Sequence, residues 1–222
     1  MDTRLGAEAL STRIGAIALP LGSILLVVAT VFHPSGEDVM DNPAVFMEYA
    51  HSESWVAVHL AQWFAFMLVF GGLVALYYSI TTKQERGAAV ARFGLAAVVL
   101  TAATFTMLQA VDGVALKWAV DAWAGATAEQ KTATFAAAEA LRWTEYAVQS
   151  FFTILLGLTL ILYGLAIALG SVYPRWLGLI AIVSGVAWIT HGVRVPYVGL
   201  FDSIGEAVAR CCCTPGRSSW RL

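Results

Sequence analysis

Five stretches free of Asp, Glu, Lys and Arg organise this chain: Ile14–Phe32, Ser54–Ile80, Phe93–Val111, Tyr146–Tyr173 and Trp176–Val193. Each is long enough to cross a hydrocarbon core of roughly 30 Å at about 1.5 Å per residue. Lipid offers no partners to backbone amides, so each such run is expected to be a helix. With their flanks the spans cover approximately 14–32, 54–80, 90–113, 143–172 and 176–195. The expected fold is therefore all-α: a polytopic transmembrane bundle over residues 1–200, followed by an atypical tail, 201–222. Only 13% of the 222 residues are charged, against roughly a quarter in an ordinary soluble domain. The shortage sits inside the five runs, which points to a bilayer rather than a large soluble core.

The basic residues orient the spans. Arg4 and Arg13 precede the first, Lys83, Arg86 and Arg92 separate the second from the third, and Arg175 separates the fourth from the fifth. Between spans one and two there is no Lys or Arg, whereas Glu37, Asp38, Asp41, Glu48 and Glu53 are acidic. The N-terminus is expected in the cytoplasm and the acidic segment, with His51, outside, in a multi-pass protein of the cell membrane. The first run is long for a signal-peptide core and ends in Phe32-His33-Pro34 instead of a small-residue cleavage site, so it reads as a retained span. A net charge of −2 and the lack of a basic stripe exclude a nucleic-acid footprint. The expected surroundings are the lipid bilayer and a lipid-like or small-molecule ligand.

Local signals refine this outline. Pro20 is expected to kink the first span. Small residues four apart, Gly71/Ala75, Gly164/Ala168 and Ala181/Gly185, suit close helix approach. Thr127-Ala-Glu-Gln130 has the form of a capping box, so the fourth span is expected to begin outside the membrane and continue inward as one long helix. Trp118, Trp123 and Trp143 suit an interfacial belt. Pro196 to Ala209 reads as an interfacial helix. Cys211, Cys212 and Cys213 are adjacent and fit neither a zinc ribbon nor a disulfide framework; palmitoylation is one use for them.

His33-Pro34 closing the first span and Pro174-Arg-Trp-Leu-Gly178 opening the fifth carry a resemblance to small six-helix bacterial integral membrane proteins, a domain of unknown function. The resemblance covers residues 10–200 loosely and implies a sixth span, from which this chain departs after Ser203. A frameshift that replaced the last helix accounts for the departure; sequencing around codon 205 tests it, and the absence of an apolar span in every frame would sink it.

Polar residues within the spans fall at one depth. His33 lies 20 residues beyond Arg13 and Asp112 lies 20 beyond Arg92, roughly 30 Å along a helix in each case. His59 stands one turn inside the outer end of span two, Glu145 and Gln149 open span four, and His191 lies near the outer end of span five. The pairs His59/Gln62, Gln109/Asp112, Glu145/Gln149 and His191/Arg194 are three or four apart and share helix faces. Polar groups at this depth turn toward a bundle interior or a wet cavity. The expectation is an outward-facing chamber drawing one His or carboxylate from each span.

Three uses of that chamber remain open. In the first, His33, His59 and His191 ligate a divalent metal, zinc foremost, with Asp112 or Glu145 as a further ligand or general acid/base and Gln62, Gln109 and Gln149 lining the cofactor or ligand pocket. Intramembrane zinc hydrolases of lipid amides are similar in residue types, although their motifs are absent and no His-x-x-x-His or His-Glu-x-x-His occurs. In the second, His59 and His191 are axial ligands of a haem b walled by Trp63, Phe66 and Trp188. In the third the chain is a non-enzymatic structural or assembly subunit, its polar residues satisfied by ion pairs such as Glu145 with Arg142 or Asp112 with Arg142 or Arg194.

Overall fold

A computed structural model describes residues 2–83 and 86–199; the tail from 201 onward, with its three cysteines and the end of the expected interfacial helix, lies outside them. The described residues form helices joined by short turns, with no strand among them. Helix α1 is Asp2–Val31, α2 Asn42–His51, α3 Trp55–Thr81 and α4 Arg86–Ala110. Helix α4 passes through a π-helical turn, Val111–Leu116, into α5, Lys117–Ala124; α6 is Lys131–Leu169 and α7 Arg175–Val198. Five segments are long and apolar enough to cross a membrane: Leu10–Val31, Trp55–Thr81, Arg86–Ala124, Lys131–Leu169 and Arg175–Tyr197.

The five long segments pack side by side in the order α1, α3, α4, α6, α7, an open row whose two edge helices each lean mainly on one neighbour. Small residues set the closest approaches. A Cβ on Gly22 would stand 2.6 Å from the carbonyl oxygen of Ala65, and one on Gly72 would stand 2.6 Å from the Leu19 Cβ, which brings α1 onto α3. Between α6 and α7, Gly157 faces the Gly185 carbonyl and Gly164 the Gly178 carbonyl. Backbones that meet this closely gain dispersion contacts, the main attraction available to helices in lipid. Of the expected small pairs, Gly164, Ala168 and Gly185 lie in such contacts and Ala75 meets Gly15 of α1, but Gly71 meets open space and the neighbouring Gly72 makes that approach. In the middle of the row Phe66, Phe70, Phe105 and Phe152 form one aromatic cluster from α3, α4 and α6, and the Thr101 and Thr159 hydroxyls hydrogen-bond at 3.0 Å.

One end of the row carries a second core. The acidic segment contains α2 because Val45, Phe46 and Tyr49 share one apolar face at helical spacing. Asp41 caps this helix, its side chain accepting from the Ala44 N–H at 3.2 Å. That face buries against Trp55, Leu116, Val120, Trp123 and Ala138. The Lys117 ammonium donates to the Ala50 carbonyl at 3.1 Å, and Asn42 to Glu139 Oε1 at 3.0 Å, tying α2 down on α5 and α6. Helix α6 has 39 residues and is roughly 58 Å long, about twice a hydrocarbon thickness of ~30 Å. It is the single long helix expected, but its start is corrected: Thr127 to Gln130 is a turn, the Thr127 carbonyl accepts from the Gln130 and Lys131 N–H groups, and no side chain caps the helix. Trp123, assigned to an interfacial belt, is buried in this second core.

Candidate metal centre

The α2 end of the row is where the polar residues gather. Helix α1 ends with the His33 N–H donating to the Thr30 carbonyl at 3.1 Å, and Pro34 then prevents continuation. His59 lies one turn into α3, four residues after Trp55. Asp112 sits in the π-helical turn, where an inserted residue breaks the regular ladder and swings side chains out of the phase of an uninterrupted helix. The Asp112 carbonyl accepts from the Trp55 indole N–H at 3.1 Å. Gly113 completes the arrangement: a Cβ on it would lie 2.5 Å from the His59 Cβ and 2.9 Å from its Cγ, so only glycine lets α3 bring the imidazole this close to the turn.

The result is a cluster in which His33, His59 and Asp112 each offer one ligand atom, all within 4.8 Å of one another. His59 is 2% exposed, and the other two are half-buried. The ring nitrogens are assigned by their partners. His33 Nδ1 lies 2.7 Å from the Pro34 carbonyl and His59 Nδ1 lies 2.8 Å from the Trp55 carbonyl. A carbonyl oxygen only accepts, so each Nδ1 carries a proton and donates it. In the neutral rings both Nε2 atoms therefore present lone pairs. Yet His59 Nε2 stands 3.0 Å from Asp112 Oδ2. Two acceptors at that distance require a proton or a cation between them. The second carboxylate oxygen, Asp112 Oδ1, is buried with no hydrogen-bond partner. Burial, the largest cause, and the nearby His59 hold the His33 imidazole below its ordinary value of 6.5, with Asp112 opposing, which favours the neutral ring with its lone pair.

An aromatic floor fixes these rings. Trp55, fully buried, lies 4.4 Å from the His59 ring, 5.0 Å from His33 and 3.9 Å from Tyr49, centroid to centroid. Beside them Glu145 Oε2 accepts from Arg142 Nη1 at 2.7 Å, both side chains almost wholly buried. Tyr49 and Tyr146 cover the guanidinium, their centroids 5.5 Å and 4.7 Å from Cζ. Arg142 Nε and Nη2 have no hydrogen-bond partner; the Tyr146 hydroxyl interacts with the guanidinium without meeting hydrogen-bond geometry at either nitrogen, and itself donates to the Val39 carbonyl at 3.1 Å. A buried donor left unpaired costs about 1–3 kcal/mol, more when charged.

The expected chamber is thus narrower than one contribution per span. His33, His59 and Asp112 converge, and Glu145 stands beside them bound to Arg142. His191 does not join: the metal-capable group among the described residues excludes it, and its ring lies against Trp188, 6.4 Å away, near Arg194. The reason is the open row, in which α4 and α6 stand between α3 and α7. Of the residues weighed for a haem, His59 engages the Trp55 carbonyl and Asp112 through its two ring nitrogens, Trp63 donates to Thr106 at 3.0 Å, and Phe66 belongs to the aromatic cluster. Asp112 pairs with His59 and not with either arginine weighed for it. Gln62 reaches toward Thr30 of α1 at 3.4 Å. Gln109 lines a cleft of about 290 Å³ with His59, Val56, Leu60 and Val114, its Oε1 buried and unpaired. Gln149 is half-buried on α6, its carbonyl accepting from the Thr153 hydroxyl at 3.0 Å.

Sequence reasoning missed Trp55, Tyr49 and Gly113 as parts of the site. The four-residue Trp55-x-x-x-His59 spacing and the glycine directly after Asp112 were the available signals. No protein-family model, no curated protein and no solved structure matches this chain.

Proposed function

We propose that this chain is a multi-pass protein of the cell membrane, N-terminus in the cytoplasm, that binds a divalent metal at the outer end of its bundle. The ligands are His33 Nε2, His59 Nε2 and the Asp112 carboxylate. The single observation that carries this reading is the pair of Nδ1–carbonyl hydrogen bonds. They give both imidazoles the tautomer of a metal ligand, with the distal nitrogen free and the proximal one anchored. Two nitrogens and one carboxylate suit zinc, with a fourth position left for water or a ligand. The orientation rests on the distribution of basic residues, the acidic segment and α2 lying outside.

The cleft beside His59 favours a second, narrower reading. Its walls, Val56, Leu60, Trp63, Ala110 and Val114, suit hydrocarbon. An amphiphile seated there would bring a carbonyl toward a metal-bound water, the arrangement of a hydrolase acting on a lipid-like substrate. Asp112 then acts as a ligand. Glu145, held by Arg142, supports the pocket and is not the proton carrier.

Elemental analysis and an absorption spectrum of the full chain, purified in detergent without chelators, test the metal reading. About one divalent metal per chain, falling to background in His59→Ala, is expected. Metal-free wild-type protein that also fails to take up zinc would leave a protonated His59–Asp112 ion pair in its place and end the proposal.

A further inference from the structure

Arg142 is the buried charged group that the metal ligands do not use. Its Nη1 is taken by Glu145, and the two unpaired nitrogens, Nε and Nη2, lie on one edge of the guanidinium. Their N–H bonds run parallel, the fork that matches two oxygens of a carboxylate or phosphate. Tyr49 and Tyr146 cover the guanidinium and the Glu145 bond fixes its rotation, so the edge is held in place before any ligand arrives. Tyr49, which covers Arg142, packs 3.9 Å from Trp55, and Trp55 in turn lies against both His59 and His33, so Arg142 is joined to the candidate metal ligands through this aromatic floor.

The charges point the same way. With neutral histidines, Asp112 and Glu145 are balanced by a divalent metal and Arg142 with one positive charge in excess. Without the metal, the proton shared by His59 and Asp112 leaves the pocket with no net charge. A loaded centre therefore attracts an anion more strongly than an empty one.

We infer that the ligand of this centre is an oxyanion, a carboxylate or phosphate group received side-on by Nε and Nη2 of Arg142 while the metal occupies His33, His59 and Asp112. This rests on the metal reading above and names the chemistry of what binds there. A free anion and an anionic lipid headgroup share that chemistry.

The test titrates inorganic phosphate into zinc-loaded full chain in detergent, and phosphatidic acid against phosphatidylcholine in nanodiscs. Saturable binding of phosphate, of phosphatidic acid, or of both is expected, the arm that binds identifying the source. Arg142→Lys keeps the charge but loses the fork, and binding should weaken at least tenfold while zinc stays stoichiometric. Removing zinc should weaken binding to a similar extent. Zinc-loaded wild type that binds neither probe overturns the inference, as does equal binding by Arg142→Lys. If that variant does not fold, cobalt-substituted wild type decides: phosphate or phosphatidic acid should perturb the cobalt visible spectrum, and an unchanged spectrum with no heat of binding overturns it. Zinc without anion defeats this inference alone; a chain that binds no zinc defeats the metal reading and this one with it.

Discussion

His59 and His191 are the same residue type at similar depth, yet the two halves of the row use them differently. On the α1–α3–α4 side, the chain breaks at Pro34 and α4 passes through the π-helical turn, and long-range side-chain bonds join the elements: indole to carbonyl and imidazole to carboxylate, with an imidazole anchored on a carbonyl of its own helix. On the α6–α7 side, glycines bring two helices together, and hydroxyls donate to the nearest backbone carbonyls of their own or the facing helix. Ser150 donates to the Gly192 carbonyl at 2.7 Å and Thr153 to the Gln149 carbonyl at 3.0 Å. Irregular backbone gathers ligands, whereas regular backbone hides its polar residues.

The largest expected effect separates the two histidines. His59→Ala should remove bound metal altogether, and His191→Ala should leave its stoichiometry unchanged; metal analysis of both variants checks this. Equal loss from the two would mean that α7 takes part after all and would break the contrast.

A smaller effect tests the glycines. Gly113→Ala forces a methyl against His59, a strain of about 1–3 kcal/mol for overpacking, and should cost at least tenfold in metal affinity. Gly71→Ala, which meets open space, should change neither thermal stability in detergent nor metal affinity. Metal affinity untouched by Gly113→Ala would show that the close approach of α3 to the π-turn does not position His59.

The smallest is a pH dependence. Burial lowers the His33 value in the folded chain, so the unfolded chain takes up a proton at a higher pH than the folded one. The stability tied to neutral His33 is complete above about 6.5 and is lost as pH falls below that value through the folded value. Protons also compete with metal for Nε2. Melting temperature and metal occupancy should both decline as pH drops from 7 toward 5, and His33→Gln should flatten the part of the stability decline due to this group. A wild-type profile identical to that of His33→Gln would remove His33 from the site.

Much of this was legible in one sequence. The long uncharged runs, the long fourth helix and the Arg142–Glu145 pair follow from local composition and three-residue spacing. His33, His59 and Asp112 were legible as ligand types at one depth. Helix α2 was hidden by its acidic neighbours, although Val45, Phe46 and Tyr49 carry its apolar face. The π-turn had no signature beyond Asp112-Gly113. The expected capping box failed because Thr127 and Gln130 lie in a turn preceding the helix, a shift of one turn that propensity does not resolve.

What the sequence alone determined is length and depth. A run of twenty apolar residues fixes a helix that can cross hydrocarbon, and counting along it places each polar residue at a height, because the rise per residue is constant. What only the tertiary structure decided is adjacency. Height says nothing about which helices are neighbours, and in a row closed by neither edge, α7 ends beyond α6 with its histidine apart from the others. Nor does height give rotation: one residue inserted at the π-turn turns the following side chains by about 100°. The approach of His59 across Gly113 then joins three residues, far apart in the chain, in one centre.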